Sequence, residues 1–274
     1  MSLTAAQALR DLNCMLFETA GEEAAQQARL LLCHVLGFEP GELPFKRGDT
    51  LTAEQEQHLF GLAQRRLQHE PLQYLLGEWG FMGLTFQVRH GVLIPRQDTE
   101  TLCEHALHDA KVRGYRTALD LCCGTGCIGV SLAKLGGLTV TASDLSPDCV
   151  ALTRENAAKN GVRLTVLTGS WFAPVSGRFD LIVCNPPYLT QGDMNVLQQE
   201  VRFEPSLALY GGPDGLDAYR SIADGWREHI APGGELLLEV GAGQAGAVRA
   251  LFGGKAEIWP DYNGVLRVVC VQAP

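Results

Sequence analysis

Apolar positions recur with a helical period over roughly the first 70 residues. Leu9, Leu12, Leu16 and Phe17 share one face of a predicted helix over Thr4–Glu18. Leu30, Leu31, Leu32, Val35 and Leu36 do the same for Glu22–Leu36, and Gly37 is a natural stop. Pro40, Gly41, Pro44 and Gly48 mark a loop, after which Thr52 opens a third helix running to Gln68. Pro71 suits the first turn of a further short helix. These periods predict a small helical bundle over residues 1–76. From 78 to 95 the pattern partly alternates, through Trp79, Phe81, Leu84, Phe86 and Val88, with glycines at 80, 83 and 91. That reads as a β-hairpin within a linker over 77–97. Helical periodicity returns over 98–112.

Strand and helix then alternate through a third region, 98–274. Strands are predicted at Ala118–Cys122, Leu138–Ser143, Leu164–Leu167, Phe179–Cys184 and Glu235–Val240. Helices are predicted at Cys127–Leu135, Pro147–Asn160, Leu216–Ile230 and Gln244–Phe252. Such alternation gives an α/β fold, with a mostly parallel sheet covered by helices on both faces. Ala256–Trp259 and Val265–Val271 depart from it, because Pro260–Gly264 is too short for a crossover helix. These two runs are predicted to form an antiparallel edge.

Composition narrows the class. Hydrophobic residues make up 46% of the 274 residues and charged residues 19%, enough apolar material for a packed core. A formal net charge of -9 disfavours general nucleic-acid binding, since little phosphate could be neutralised. Arg65 and Arg66 form a short basic patch best explained as a solvated helix face. Arg10, Asp11 and Glu18 interrupt any signal-like apolar run, and no stretch has the length of a membrane span, so a soluble cytoplasmic protein is expected. The nine cysteines read as small buried hydrophobes. Cys122, Cys123 and Cys127 lack a second pair at zinc-like spacing, so no metal site is expected. The seven histidines form no motif.

The segment Ala118–Gly126 runs from a buried strand into a helix. Glycines at such a turn let backbone approach a ligand, and the helix start offers free N–H groups. Gly124, Gly126 and Gly129 also satisfy the dinucleotide spacing. About 20 residues on, Asp144 ends the next predicted strand, where a carboxylate can hold a ribose diol. Loop and acid together indicate an adenosine cofactor without saying which.

Asp180–Cys184 followed by Asn185-Pro186-Pro187-Tyr188 indicates the chemistry. Two prolines cannot continue a ladder, and they fix φ where open α/β sheets bind ligands. A carboxamide nitrogen is a poor nucleophile because its lone pair is delocalised. The Asn185 side-chain oxygen and the Pro186 main-chain oxygen could accept both of its N–H bonds, and Tyr188 could cover the amide plane. Methyl transfer would then be an in-line displacement over about 3 Å, governed by positioning and electrostatics.

With this tetrapeptide the chain resembles class I methyltransferases. More narrowly it resembles the bacterial peptide chain release factor glutamine methyltransferases, the PrmC/HemK family. The likeness also rests on Ala28–Leu32, Glu70–Gly77, Leu93–Glu100, Arg202-Phe203-Glu204-Pro205 and Asp261-Tyr262. It implies a Rossmann-like, mostly parallel seven-stranded sheet with an antiparallel edge, preceded by a small all-helical domain. It implies S-adenosylmethionine as cofactor, S-adenosylhomocysteine as product, and a release factor as protein substrate of a monomeric enzyme. The cofactor would lie along Cys122, Cys123, Gly124, Thr125 and Gly126, with Asp144 on the ribose, Trp171 near the adenine and Asn185 near the methyl donor. Asn185, Pro186, Pro187 and Tyr188 would hold the glutamine of a Gly-Gly-Gln loop, and the helical domain would grip the release factor. Two departures stand out: Cys122 replaces the usual first glycine of the loop, and Ser170 replaces the common acidic residue before Trp171.

Other readings predict different features. A methyltransferase for ribosomal-protein glutamine or a nucleic-acid adenine amine would use the same tetrapeptide, the latter with a basic groove. A cofactor-binding adaptor would not need Asn185, and an NAD-dependent oxidoreductase would need hydride-handling residues. For Arg96–Glu100, Asp98 and Thr101 suit a helix start, and Thr101 with Glu104 has capping-box spacing.

Overall fold

The computed structural model describes residues 3–253 and 256–273; the ends of the expected spans at Met1, Ser2 and Pro274 lie outside them. Two compact units emerge, Met1–Gly77 with Gln198–Phe203, and Glu78–Leu197 with Glu204–Pro274.

The first unit is helical, with main helices at Ala5–Ala20, Ala24–Leu36, Ala53–Leu67 and Leu72–Leu76. Thr4 with Gln7, and Thr52 with Gln55, close capping boxes at the starts of the first and third of these. Gly37 ends the second in the left-handed conformation at φ 71°. Leu12, Leu16, Leu31, Leu32 and Leu59 are fully enclosed in one apolar core. Each such side chain contributes about 1.5–3 kcal/mol by leaving water. Arg66 corrects the solvated-face reading. It is 1% exposed, its Nε donates to Gln27 Oε1 at 2.8 Å, and its guanidinium pairs with Glu200. Arg65 instead forms a half-exposed pair with Glu70. Arg66 stands four positions from Leu62 and three from Ala63, so it shares the buried face, and burial there required polar partners.

The second unit opens with a short hairpin, β1 (Glu78–Phe81) and β2 (Leu84–Gln87). Met82 and Gly83 both have positive φ, 51° and 72°, which is the two-residue turn that matches strand twist. The hairpin is shorter than the predicted 78–95, because residues 88–95 run on as irregular backbone.

A seven-stranded sheet follows, formed by β3 (Thr117–Leu121), β4 (Thr139–Asp144), β5 (Thr165–Thr168), β6 (Phe179–Cys184), β7 (Ile230–Glu239), β8 (Ala256–Pro260) and β9 (Leu266–Gln272). The order is β5-β4-β3-β6-β7-β9-β8. Pairing is parallel from β5 to β7 and antiparallel at β7–β9 and β9–β8, as the short final connection predicts. β7 begins earlier than expected because the Pro232-Gly233-Gly234 stretch is absorbed as an irregularity against β6. Ala118, Leu181, Val183 and Leu237 face one apolar cluster, while Leu119, Ile182, Leu236 and Leu238 face the other. This period-2 alternation gives the sheet two dry faces. The chain reverses direction across the sheet between β3 and β6, which puts a crevice at the carboxyl ends of these two neighbours.

Candidate active site

At the end of β3 the backbone turns sharply. Cys122 sits at φ 62°, a conformation that a side chain with a Cβ rarely adopts. The departure noted in the sequence is therefore accommodated at the cost of local strain, of the order of 1–2 kcal/mol. Gly126, at φ 79°, forms the N-cap of the Cys127–Gly136 helix, and a Cβ there would stand 2.8 Å from Thr153 Cγ2. Thr153 in turn donates to Gly124 O at 3.1 Å. Behind the loop, Asp120 is fully buried and accepts the Gly129 N–H at 2.8 Å. Burial pushes its carboxyl up to about 7; the Gly129 N–H opposes that shift and the Asp144 charge adds to it.

Asp144 lies at the end of β4. Its Oδ2 accepts the Gly124 N–H at 2.9 Å and its Oδ1 accepts the Ser146 N–H at 2.8 Å. Two backbone amides thus hold the carboxylate in a set orientation, and each oxygen keeps a second lone pair for a ligand. Ser170 and Trp171 complete this side, with Trp171 at φ 48°.

One pocket gathers these groups. Its walls include Cys122, Cys123, Gly124, Thr125, Asp144, Trp171, Asn185 and Pro187. Leu93, Ile94, Pro95, Arg96, Thr99, Leu145, Leu207 and Ala208 also line it. Gly126 shapes the loop from beneath. Apolar walls with a few fixed polar groups suit an adenosine-bearing ligand.

Asn185 leaves the end of β6 and its Nδ2 donates to Thr99 Oγ1 at 3.0 Å. Pro186 is buried and Tyr188 half-buried; neither is among the pocket-lining residues, and Tyr188 packs against the cluster that holds Ile182, Leu236 and Leu238. Burial, with the Glu239 charge, pushes the Tyr188 phenol up to about 12, so it stays neutral. The tetrapeptide backbone is clamped. Gln244 Nε2 donates to Tyr188 O at 2.9 Å, Leu189 N to Leu209 O at 2.8 Å, and Gly211 N to Leu189 O at 2.9 Å. At Gly211 a Cβ would lie 2.6 Å from Pro187 O, so only glycine allows this approach.

The segment before the Gln97–Arg113 helix binds to the same end of the sheet. Arg96 pairs with the buried Glu204, which also accepts the Ile94 N–H at 3.0 Å. Asp98 pairs with Arg267 at 2.9 Å, and Glu100 accepts the Met82 N–H at 2.6 Å. The capping-box reading of Thr101 fails. The helix starts at Gln97 with Arg96 as its N-cap, so Thr101 lies inside it and is buried. Glu104 instead meets the Tyr262 hydroxyl. Sequence reasoning missed Thr99, Asp120 and Glu239 as parts of the site. Only an acidic residue inside or at the end of an otherwise apolar strand, Asp120 in β3 and Glu239 closing β7, could have pointed to the two carboxyls.

Comparison with known proteins fixes the family. A model of the PrmC N-terminal domain matches residues 7–77, and a methyltransferase small domain model matches 97–203. The release factor glutamine methyltransferase of Cereibacter sphaeroides is 41% identical over 280 residues, covering 99% of both chains. The chain belongs to the release factor glutamine methyltransferase family. The Geobacter sulfurreducens member is 43% identical over 93% of this chain and 91% of its own. Among solved structures, a Thermus thermophilus 16S rRNA methyltransferase bound to S-adenosylmethionine and guanosine aligns with TM-score 0.54 at 18% identity, covering 72% of this chain and 50% of that one. A Pyrococcus furiosus methyltransferase gives 0.54 at 15% identity, covering 81% and 98%. At these identities the structural likeness speaks for the fold alone, the class I methyltransferase fold. The cofactor of this release factor glutamine methyltransferase family member is S-adenosylmethionine, and the loop after β3 with Asp144 provides residues that fit it. No described helix is long and apolar enough to cross a membrane.

Proposed function

We propose that this methyltransferase modifies the side-chain amide nitrogen, N5, of the glutamine in the Gly-Gly-Gln loop of a translation release factor in the cytoplasm. The observation that carries this reading is the fixed Asn185 carboxamide, held by Thr99 at the rim of a pocket that suits an adenosine cofactor.

S-adenosylmethionine supplies an electrophilic methyl group on its sulfonium. Asp144 would hold the ribose diol, the loop Cys122–Gly126 would border the amino-acid part, and Trp171 would border the adenine. Asn185 Oδ1 accepts one N–H of the glutamine amide and the Pro186 carbonyl accepts the other. Two accepted hydrogen bonds raise electron density on nitrogen and set its line of approach. Pro187 shapes the wall beside the acceptor, and Tyr188 braces the tetrapeptide from behind. The product amide then loses a proton to water, so no side chain need act as general base. The helical unit serves to recognise the release factor.

The test is methyl transfer from labelled S-adenosylmethionine to purified release factor and to a variant whose Gly-Gly-Gln glutamine is replaced. Label on the first alone is expected. Equal label on both would contradict the proposed acceptor, and label on neither would redirect attention to a planar nitrogen elsewhere, such as a ribosomal-protein glutamine or an adenine amine.

A further inference from the structure

The Asn185 carboxamide has two ends of nearly equal shape and opposite chemistry. A glutamine amide nitrogen presents donors, so only the oxygen end of Asn185 can serve it; the amino end would face it donor to donor. The chain contains a group that distinguishes the two ends. Thr99 is 2% exposed, sits in the first turn of the Gln97–Arg113 helix and lines the pocket. Its Oγ1 accepts from Asn185 Nδ2 at 3.0 Å across 86 residues of sequence.

A hydroxyl has one hydrogen, which must go elsewhere if its oxygen is to accept in this direction. The sheet register provides the recipient. Cys184 pairs with Leu238, so the next residues, Asn185 and Glu239, stand side by side at the carboxyl ends of β6 and β7. Glu239 is 1% exposed, and its Oε2 is buried without a hydrogen-bond partner. Burial raises the Glu239 carboxyl above its ordinary value, and the Thr99 hydroxyl opposes that rise. A carboxyl group keeps accepting lone pairs whether or not it carries a proton, so the Thr99 hydrogen turns to Glu239 and its own lone pair turns to Asn185.

We propose that Thr99 is a positioning residue for methyl transfer, taking the amino end of Asn185 and so turning the amide oxygen toward the acceptor nitrogen. Glu239 acts one step further back by taking the hydroxyl hydrogen. The inference rests on the reading of the acceptor as an amide nitrogen. Without Thr99, the carboxamide can rotate to either orientation, and only one is productive.

The experiment compares Thr99→Val, Thr99→Ala and Thr99→Ser in the full chain. Each is assayed for kcat with release factor, for S-adenosylmethionine Kd and for Tm. Both variants without a hydroxyl are expected to lose about 10- to 100-fold in kcat, the scale of a misplaced catalytic group, with Kd and Tm near parental values. Thr99→Ser is expected to return kcat to within about threefold, since it restores the acceptor. Unchanged kcat in Thr99→Val or Thr99→Ala would overturn the inference. A loss tracking equal losses in Kd and Tm, or one that Thr99→Ser leaves unrepaired, would do the same. A parental enzyme that labels no release factor would sink the reading of the acceptor, and this inference with it, before any variant is compared.

Discussion

On the proposed reading, Asn185 is the residue on which turnover depends most. Its carboxamide is fixed on one side by Thr99, and the tetrapeptide behind it is held by Gln244, Leu209 and Gly211. Replacing it with Ala removes a preorganised acceptor without opening the core. Asn185→Ala is expected to lower kcat by about 10²–10³-fold, as loss of one oriented polar group does elsewhere. Cofactor affinity and Tm should change far less; single-turnover transfer beside calorimetric binding would separate them. A parallel collapse in cofactor binding would instead place Asn185 chiefly in the cofactor site. The Asn-Pro-Pro-Tyr run was legible because its chemistry is local and contiguous. Thr99 was not, because its meaning lies in a contact across 86 residues and its own neighbourhood reads as an ordinary helix start. Arg66 was misread for a related reason: adjacent arginines look alike in sequence, yet one lies on the buried helix face.

The loop between β3 and the Cys127–Gly136 helix shows how an element is shaped by its smallest residues. Gly126 combines φ 79° with a Cβ position 2.8 Å from Thr153 Cγ2. Gly126→Ala is expected to cost about 1–3 kcal/mol through strain and overpacking. It should also weaken S-adenosylmethionine binding, because Thr153 carries the Gly124 carbonyl and a displaced Thr153 would move the loop. Thermal unfolding and a cofactor titration would check both, and parental values in both would contradict the tight packing described. Strands and long helices were readable from periodicity, since β3, β6 and β7 bury both faces and the helices bury one. The irregular run from Val88 to Pro95 was taken into the hairpin because the alternation of Trp79 to Val88 was extended through it. Its backbone is instead spent on the pocket wall, with Ile94 N–H donating to Glu204.

Across the whole molecule, two buried carboxyls link stability to pH. Burial is the main cause that pushes Asp120 from 3.8 and Glu239 from 4.5 up to about 7. Both retain protons in the folded chain at pH values where the unfolded chain has lost them. Unfolding then releases protons, so stability is highest below the unfolded values and falls as pH rises toward about 7, levelling above it. The two shifts correspond to roughly 4 kcal/mol for Asp120 and about 3 kcal/mol for Glu239 over the full range. Denaturant unfolding at about pH 5 and about pH 8 should show a smaller difference for Asp120→Asn with Glu239→Gln than for the parent. An identical difference would mean that neither carboxyl is shifted. The return of Gln198–Phe203 to the helical unit left no mark in the hydrophobic pattern.

The most direct measurement is tandem mass spectrometry of a release factor incubated with the enzyme and S-adenosylmethionine. The peptide containing Gly-Gly-Gln should gain one methyl group, located on the glutamine side-chain nitrogen, and Asn185→Ala should leave it unmodified under the same conditions. A methyl group on another residue, or an unmodified peptide beside an enzyme that binds its cofactor, would contradict glutamine N5 methylation as the reaction of this site.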